Sequence, residues 1–457
     1  MKKLYAIYII IGLIISTFSA NAVLPADSAI KKKGWTFGAL PVVAYDSDVG
    51  LRYGALANFY NYGDGKLYPH YHHSLYFEWS RTTKGSGLDQ FVYDSEHLIP
   101  GIRIFSELSR LTEQALNFYG FNGYEAWYNP DYEDQDHTEY ISRVFYRMDR
   151  TIYRVKADFQ GALFEKTVPG KKAKWQWLAG FETCVTSIGS VNIDKLNKGK
   201  DPDEMLPDTA LLYDKFVDWG LISGKQTDGG TNTIIKLGMV YDTRNLEAMP
   251  TSGIWTDVQV IASPAFLGND GLSYLKLALN YRQYFSLIRD KLSLAYRLGI
   301  QSKIAGEIPF YMISNYYSPA PAITRDGLGG AKTLRGILRN RVTGDGMANL
   351  NTEIRWKVIN TRIKRQNFYA ALSAFGDLGM VVQPYQLPDI ENLSLTPEQK
   401  LEVQAFTSAG KEKPHVSIGA GLHLALNENF VVAFDYGIAL DRRDGKNGLY
   451  IALGWLY

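Results

Sequence analysis

Stretch after stretch of this chain alternates apolar and polar residues with a period of two. Once Phe18 is passed, no apolar run is long enough to cross a membrane as a helix. Successive side chains of a strand point to opposite faces, so this pattern describes strands whose two sides meet different surroundings. The last nine residues, LYIALGWLY, carry it most plainly. Leu449, Ile451, Leu453, Trp455 and Tyr457 share one face, and Tyr450, Ala452, Gly454 and Leu456 the other. A membrane β-barrel asks for this arrangement, with lipid on one side, an aqueous lumen on the other and aromatic residues at both interfaces. The 31 Tyr, 21 Phe, 9 Trp and 42 Gly suit that demand better than they suit a soluble enzyme. The closing aromatic strand is therefore expected to face lipid at Trp455 and Tyr457.

Candidate strands lie at 36–46, 49–61, 70–82, 88–97, 101–110, 140–165, 174–188, 231–243, 253–263, 271–286, 290–303, 345–357, 366–379, 415–426, 429–440 and 448–457. This makes about sixteen, an even number, as bacterial barrels favour. Short connections alternate with long ones. The short ones, at 99–101, 286–291 and 426–430, read as periplasmic turns; the long ones, at 111–139, 189–230, 304–344 and 380–414, read as extracellular loops. In the last long loop Thr396 can cap a helix whose first position suits Pro397. The fold class expected is all-β: a transmembrane antiparallel barrel with long extracellular loops.

The first residues read differently. Lys2 and Lys3 precede an uncharged stretch from Leu4 to Phe18, followed by Ala20-Asn21-Ala22. A basic start, a short apolar segment and a small-x-small site describe a signal peptide over residues 1–22, with cleavage after Ala22. Residues 23–35 form a short periplasmic segment, too brief for a periplasmic domain, and 36–457 form the barrel.

The charge balance, 49 Lys and Arg against 47 Asp and Glu, gives no reason to propose a nucleic-acid partner. Cys184 is the single cysteine and reads as a small buried residue. No nucleophile elbow, zinc-protease motif or phosphate loop is present, so no enzyme or cofactor is expected. His70, His72 and His73 suggest a metal cluster but lack a convincing third ligand in the nearby sequence. Asp131, Glu133, Asp134 and Asp136 are acidic without regular calcium-ligand spacing. No metal site is expected at either place.

Four motifs in order narrow the reading. DTRN…PTSG runs from Asp242 to Gly253, including Arg244 and Pro250; TLRGI spans Thr333 to Ile337; NTEIR spans Asn351 to Arg355; FGDLG spans Phe375 to Gly379. A weaker match is FYGFNG, Phe118 to Gly123. With these motifs the chain resembles the Omp85 superfamily and its bacterial surface antigen barrels. The resemblance covers nearly the whole chain after residue 22 and is strongest from Tyr241 onward. It places Asp242, Arg244, Pro250 and Gly253 in the turn between strands eight and nine, and Arg335-Gly336 in the sixth extracellular loop.

Strand parity sends Asn351, Glu353 and Arg355 to one face and Phe375 and Asp377 to the lumen, because a carboxylate facing mid-bilayer lipid is costly. The resemblance implies that the sixth loop folds inward and that Arg335 meets Glu353 and Asp377. A guanidinium suits two carboxylates by its fixed fork of donors, and Gly336 allows close backbone approach. The family usually has an aromatic residue after that glycine, where this chain has Ile337.

The seam where the first and last strands meet holds Pro41, which lacks an N–H for a ladder, together with Gly454, Trp455 and Tyr457. The resemblance makes it a lateral gate for protein or lipid clients. The partners implied are outer-membrane lipid, the machinery that inserts the barrel itself, and a protein client or periplasmic partner. The alternative is a passive channel or surface barrel without a client.

Overall fold

The computed structural model describes residues 30–46, 50–168, 171–267, 269 and 271–457. The signal peptide read at 1–22, and most of the segment read at 23–35, lie outside the described residues. Sixteen strands form one sheet in which each pairs antiparallel with the next along the chain. They are β1 Trp35–Asp46, β2 Gly50–Asn61, β3 His73–Thr82, β4 Gly87–Ile99, β5 Ile102–Asn117, β6 Arg147–Val168, β7 Lys171–Gly189 and β8 Gly229–Asp242. The second half comprises β9 Gly253–Ser263, β10 Tyr274–Ile288, β11 Leu292–Gly306, β12 Gly346–Ile363, β13 Gln366–Gln383, β14 His415–Leu426, β15 Phe430–Ala439 and β16 Asn447–Leu453. Among the described residues no helix is long and apolar enough to cross a membrane.

Burial alternates as the barrel requires. Leu237, Val260, Leu298, Ile354 and Leu372 are exposed on the outer face, while Arg154, Lys236, Asp257, Arg297, Glu353 and Asp377 are buried within. Apolar residues outside and charged residues inside invert the soluble pattern, because lipid is the outer solvent. Cys184 is buried on β7 and donates weakly to Glu182 at 3.3 Å.

Several boundaries differ from the sequence reading. Strand six begins at Arg147 rather than 140, because Phe145 and Tyr146 are drawn into an apolar cap over the extracellular end. That cap joins Phe118 and Tyr128 to Leu212, Phe216 and Trp219, to Phe310 and Tyr311, and to Val403 and Phe406. Four long loops thus share one small core. The helix Pro397–Thr407 belongs to it, with Thr396 and Gln399 bonded reciprocally across its first turn. The last strand stops at Leu453 instead of running to residue 457.

Candidate functional site

The connection 307–345, between β11 and β12, contributes Phe310 and Tyr311 to the cap and then descends into the lumen. Leu334 and Ile337 bury themselves with Leu328, Val342, Met347 and Val381. Ile337 therefore fills a packing site despite not being aromatic. Between these two apolar residues, Arg335 meets the wall. Its main-chain N–H and its Nε both donate to Asp377 Oδ2 at 3.0 Å, and Nη2 donates to Oδ1 at 3.2 Å. Nη1 donates to Glu353 Oε2 at 2.8 Å and to Asp435 Oδ2 at 3.3 Å. The guanidinium carbon stands 3.4 Å from the centre of the Phe375 ring. The side chains of Arg335, Glu353 and Asp377 are wholly buried.

Gly336 is next, with φ of 95°. A Cβ there would come within 2.6 Å of the Gly437 backbone on β15, and one on Gly437 would come equally close to Arg335. The loop and β15 cross where neither carries a side chain. The Gly336 N–H donates to Tyr450 Oη on β16 at 2.9 Å. Glu353 is shared, since its second oxygen accepts from Arg355 Nε at 2.9 Å. Asp435, the third acid, is invisible to the sequence reading. It belongs to no motif, and only the register that sets β15 beside β14 brings it to Arg335.

At the other end of the barrel, Asp242 accepts from the Arg244 main chain at 2.9 Å and from its Nε and Nη2 at 3.0 Å. The Arg244 guanidinium lies 4.3 Å from the Trp255 ring centre. Pro250 is buried, and Gly253 has φ of 110°, where a Cβ would meet the Thr243 carbonyl at 2.3 Å. The turn between these residues spans the mouth at this end. On one side Arg103 of β5 donates to Glu247 at 2.8 Å; on the other Met249 packs on Tyr369, Ala371, Ala425 and Val431.

The seam departs from the sequence reading. Among the described residues, β1 pairs with β2 and β16 with β15. The inward face of β1 instead overlaps the outward face of β15. Gly38 opens the space that the Phe430 ring occupies, and Leu40, Tyr60 and Tyr62 cluster with Phe430, Val432, Phe434 and Leu453. Pro41 is exposed within β1, opposite Ala55 of β2.

Trp455 and Tyr457 do not face lipid. Gly454, with φ of 79°, breaks the strand and reverses the parity of the residues after it. Trp455 stacks on His423 with ring centres 3.6 Å apart and donates to Tyr369 at 3.2 Å. Tyr457 is only 4% exposed, and its main-chain oxygen accepts from Arg355 Nη2 at 2.6 Å. The Arg355 guanidinium lies 4.5 Å from the Trp455 ring and 5.1 Å from the Tyr457 ring, close enough to attract both.

His72 stacks on His97 at 3.7 Å, His73 pairs with Tyr93 at 3.0 Å, and His70 is exposed. Among the described residues, the side chains spaced like metal ligands are instead Asp131, His137 and Glu139 on an exposed loop, which Glu133, Asp134 and Asp136 do not join.

A model of the Omp85 superfamily domain matches residues 125–454. Among solved structures the chain is similar to BamA from Haemophilus ducreyi lacking POTRA domains 1-3, at 14% identity over 92% of this chain and 69% of that one, with a TM-score of 0.44. It is also similar to CdiB from Escherichia coli, at 10% identity over 93% of this chain and 63% of that one, with a TM-score of 0.51. CdiB from Acinetobacter baumannii matches at 12% identity over 93% and 60%, with a TM-score of 0.44. The chain thus spans about two thirds of BamA and somewhat less of either CdiB. At these identities the likeness speaks for the fold. No curated protein matches the sequence.

Proposed function

The chain belongs to the Omp85 superfamily of outer-membrane β-barrels, and on that premise we propose that it helps a protein or lipid client enter or cross the outer membrane through its seam. The observation that carries this reading is that, among the described residues, β1 is joined by a ladder to β2 and β16 to β15, and the two end strands meet through side chains. Every other neighbouring pair of strands is joined by main-chain hydrogen bonds. Here the contact is made by side chains, Phe430 and Val432 beneath Gly38 and Leu40. Separating such a face costs apolar burial and a few side-chain hydrogen bonds, such as that from Tyr60 Oη to the Asn429 main-chain oxygen at 3.2 Å, but no strand ladder among the described residues. The two edges would then offer unpaired N–H and C=O groups, the template that another strand completes.

Arg335 belongs to this reading as the anchor of the loop beside the seam. It grips Asp435 on β15, and its neighbour Gly336 grips Tyr450 on β16. The last strands are thereby held to the plug while β1 is not. In an opening of this kind β1 is the strand that moves.

In-cell photo-crosslinking tests the proposal. Ala39 lies exposed on the outer face of β1, and Leu237 lies exposed on the outer face of β8. A probe at Ala39 should trap nascent barrel or secreted proteins that a probe at Leu237 does not. A folded barrel that carries the Ala39 probe and yields no adduct beyond those at Leu237 would refute the gate.

A further inference from the structure

We propose that residues 30–34, just ahead of β1, are a latch that fastens the seam at its periplasmic rim, and that the side-chain amides of Asn367 and Asn429 are the catch it closes on. The inference rests on the gate reading above and names what keeps that gate shut. Asn367 stands at the start of β13, and Asn429 in the turn between β14 and β15. Both belong to the edge of the sheet that ends in β16, across the seam from β1.

The segment crosses to them. Asn367 Oδ1 accepts from the Ile30 main-chain N–H at 2.8 Å, and its Nδ2 donates to the Ile30 carbonyl at 2.9 Å. One side-chain amide thereby exchanges the two bonds that a residue on a neighbouring antiparallel strand would exchange. Lys32 reaches the same turn, its Nζ donating to the Arg365 carbonyl and to Gln366 Oε1, the latter at 2.9 Å. Gly34 ties the segment to the turn after β2, donating to the Gly63 carbonyl at 2.8 Å and accepting from the Tyr62 N–H at 2.9 Å.

That turn crosses the seam as well. The Tyr68 hydroxyl accepts from Asn367 Nδ2 at 3.0 Å. Asn429 Nδ2 donates to the Tyr62 hydroxyl at 3.0 Å and to the Pro69 carbonyl at 2.6 Å. The catch is braced on its own side. The Asn367 N–H donates to Asn427 Oδ1 at 3.2 Å, and the Asn427 N–H returns a bond to the Asn367 carbonyl at 2.9 Å. The turns before β13 and β15 are thus one rigid support. Asn367 is buried, so its amide cannot trade these partners for water without moving. Among the described residues no ladder joins β1 to β16, and the apolar overlap at Phe430 has no direction of its own. The amide bonds supply the direction, and they all lie at one end, where they can be released together.

Distances between spin labels test the latch. Ala39 of β1 and Ile451 of β16 are exposed on the outer face, and labels there report the width of the seam in a Cys184→Ser background. The parent should give one narrow population. Asn367→Asp keeps the shape and one acceptor but sets a carboxylate against the Ile30 carbonyl. Combined with Asn429→Ala, it should raise the ratio of wide to narrow seams about tenfold, as expected when several neutral hydrogen bonds are lost. Arg289→Gln, on an exposed turn far from the seam, should leave the ratio unchanged. Should the double variant fail to fold, Lys32→Ala, whose side chain lies at the rim, should shift the ratio the same way by less. Variants with the parent's distances would overturn the latch, even if clients are trapped at Ala39. A seam that widens in the variants while no client is trapped would uphold the latch and remove the gate it was argued to serve.

Discussion

Arg335 meets three acids at once. Asp377, Glu353 and Asp435 all accept from its guanidinium, and at least the first two are sealed from water. Removing a buried charge partner usually costs about 3–5 kcal/mol, because what remains is uncompensated. Arg335→Ala is therefore expected to lower stability by about that much, measured by urea unfolding of the reconstituted barrel. Arg335→Lys should recover little of it. An ammonium cannot serve Asp377 through two nitrogens while reaching Glu353, nor lie flat on Phe375. The cause can be separated from mere loss of packing by adding Glu353→Gln and Asp377→Asn to Arg335→Ala. The triple variant should be more stable than the single one if stranded charge is the cost. A triple variant that is weaker still would show that the loop is held by Leu334 and Ile337 instead.

Glu247 shows how a turn can be held in place by charge. Burial pushes its carboxyl up, but Arg103 and Arg244 outweigh this and hold it down at about 2. A carboxyl lowered on folding contributes its stability in full above the unfolded value of 4.5, and loses it as pH falls from there towards about 2. Hydrogen exchange in residues 243–252, corrected for intrinsic rate, should stay slow from neutrality to pH 4.5 and accelerate below it. Glu247→Gln should exchange fast throughout, and a turn with the same protection in both proteins would make Met249 its anchor. The seam offers a second test at this scale. Gly38→Leu would place a side chain where Phe430 already stands, since even a Cβ comes within 2.4 Å of that ring. It should lower the temperature of heat-modifiable unfolding, and Phe430→Ala, which leaves a hole at the same contact, should do so too. The sequence makes some of these elements legible and hides others, for physical reasons. Alternation is legible because each barrel strand faces two solvents, so strands such as Gly253–Ser263 and His415–Leu426 emerge at their true limits. The luminal ends of Glu353 and Asp377 follow from parity, whereas the inward course of Arg335 follows from the family resemblance that the motifs carry. Asp435, the inward turn at Gly454 and the β1–β15 overlap depend on register and on contacts between distant segments, which periodicity does not encode.

The molecule as a whole is obstructed at both ends. The loop held by Arg335 fills the lumen from outside, beneath a cap in which Phe216, Trp219 and Phe406 pack together. From the periplasmic side, the turn pinned by Glu247 and Met249 and the inward Trp455 cover the mouth. A passive channel needs a continuous aqueous path, and a sixteen-stranded barrel is wide enough to supply one only if nothing occupies it. Planar-bilayer recordings of the parent should therefore show small, fluctuating conductance rather than large steady steps. Arg335→Ala should raise it, because the loop loses its hold on β12, β13 and β15 together. Glu247→Gln alone should raise it little, since the outer plug stays in place, while the two changes combined should exceed the sum of their separate effects. That excess is the signature of two barriers in series along one path, where opening either leaves the other limiting. Large steady conductance in the parent would mean that loop and turn leave an open route beside them, and the channel reading would then displace the gate.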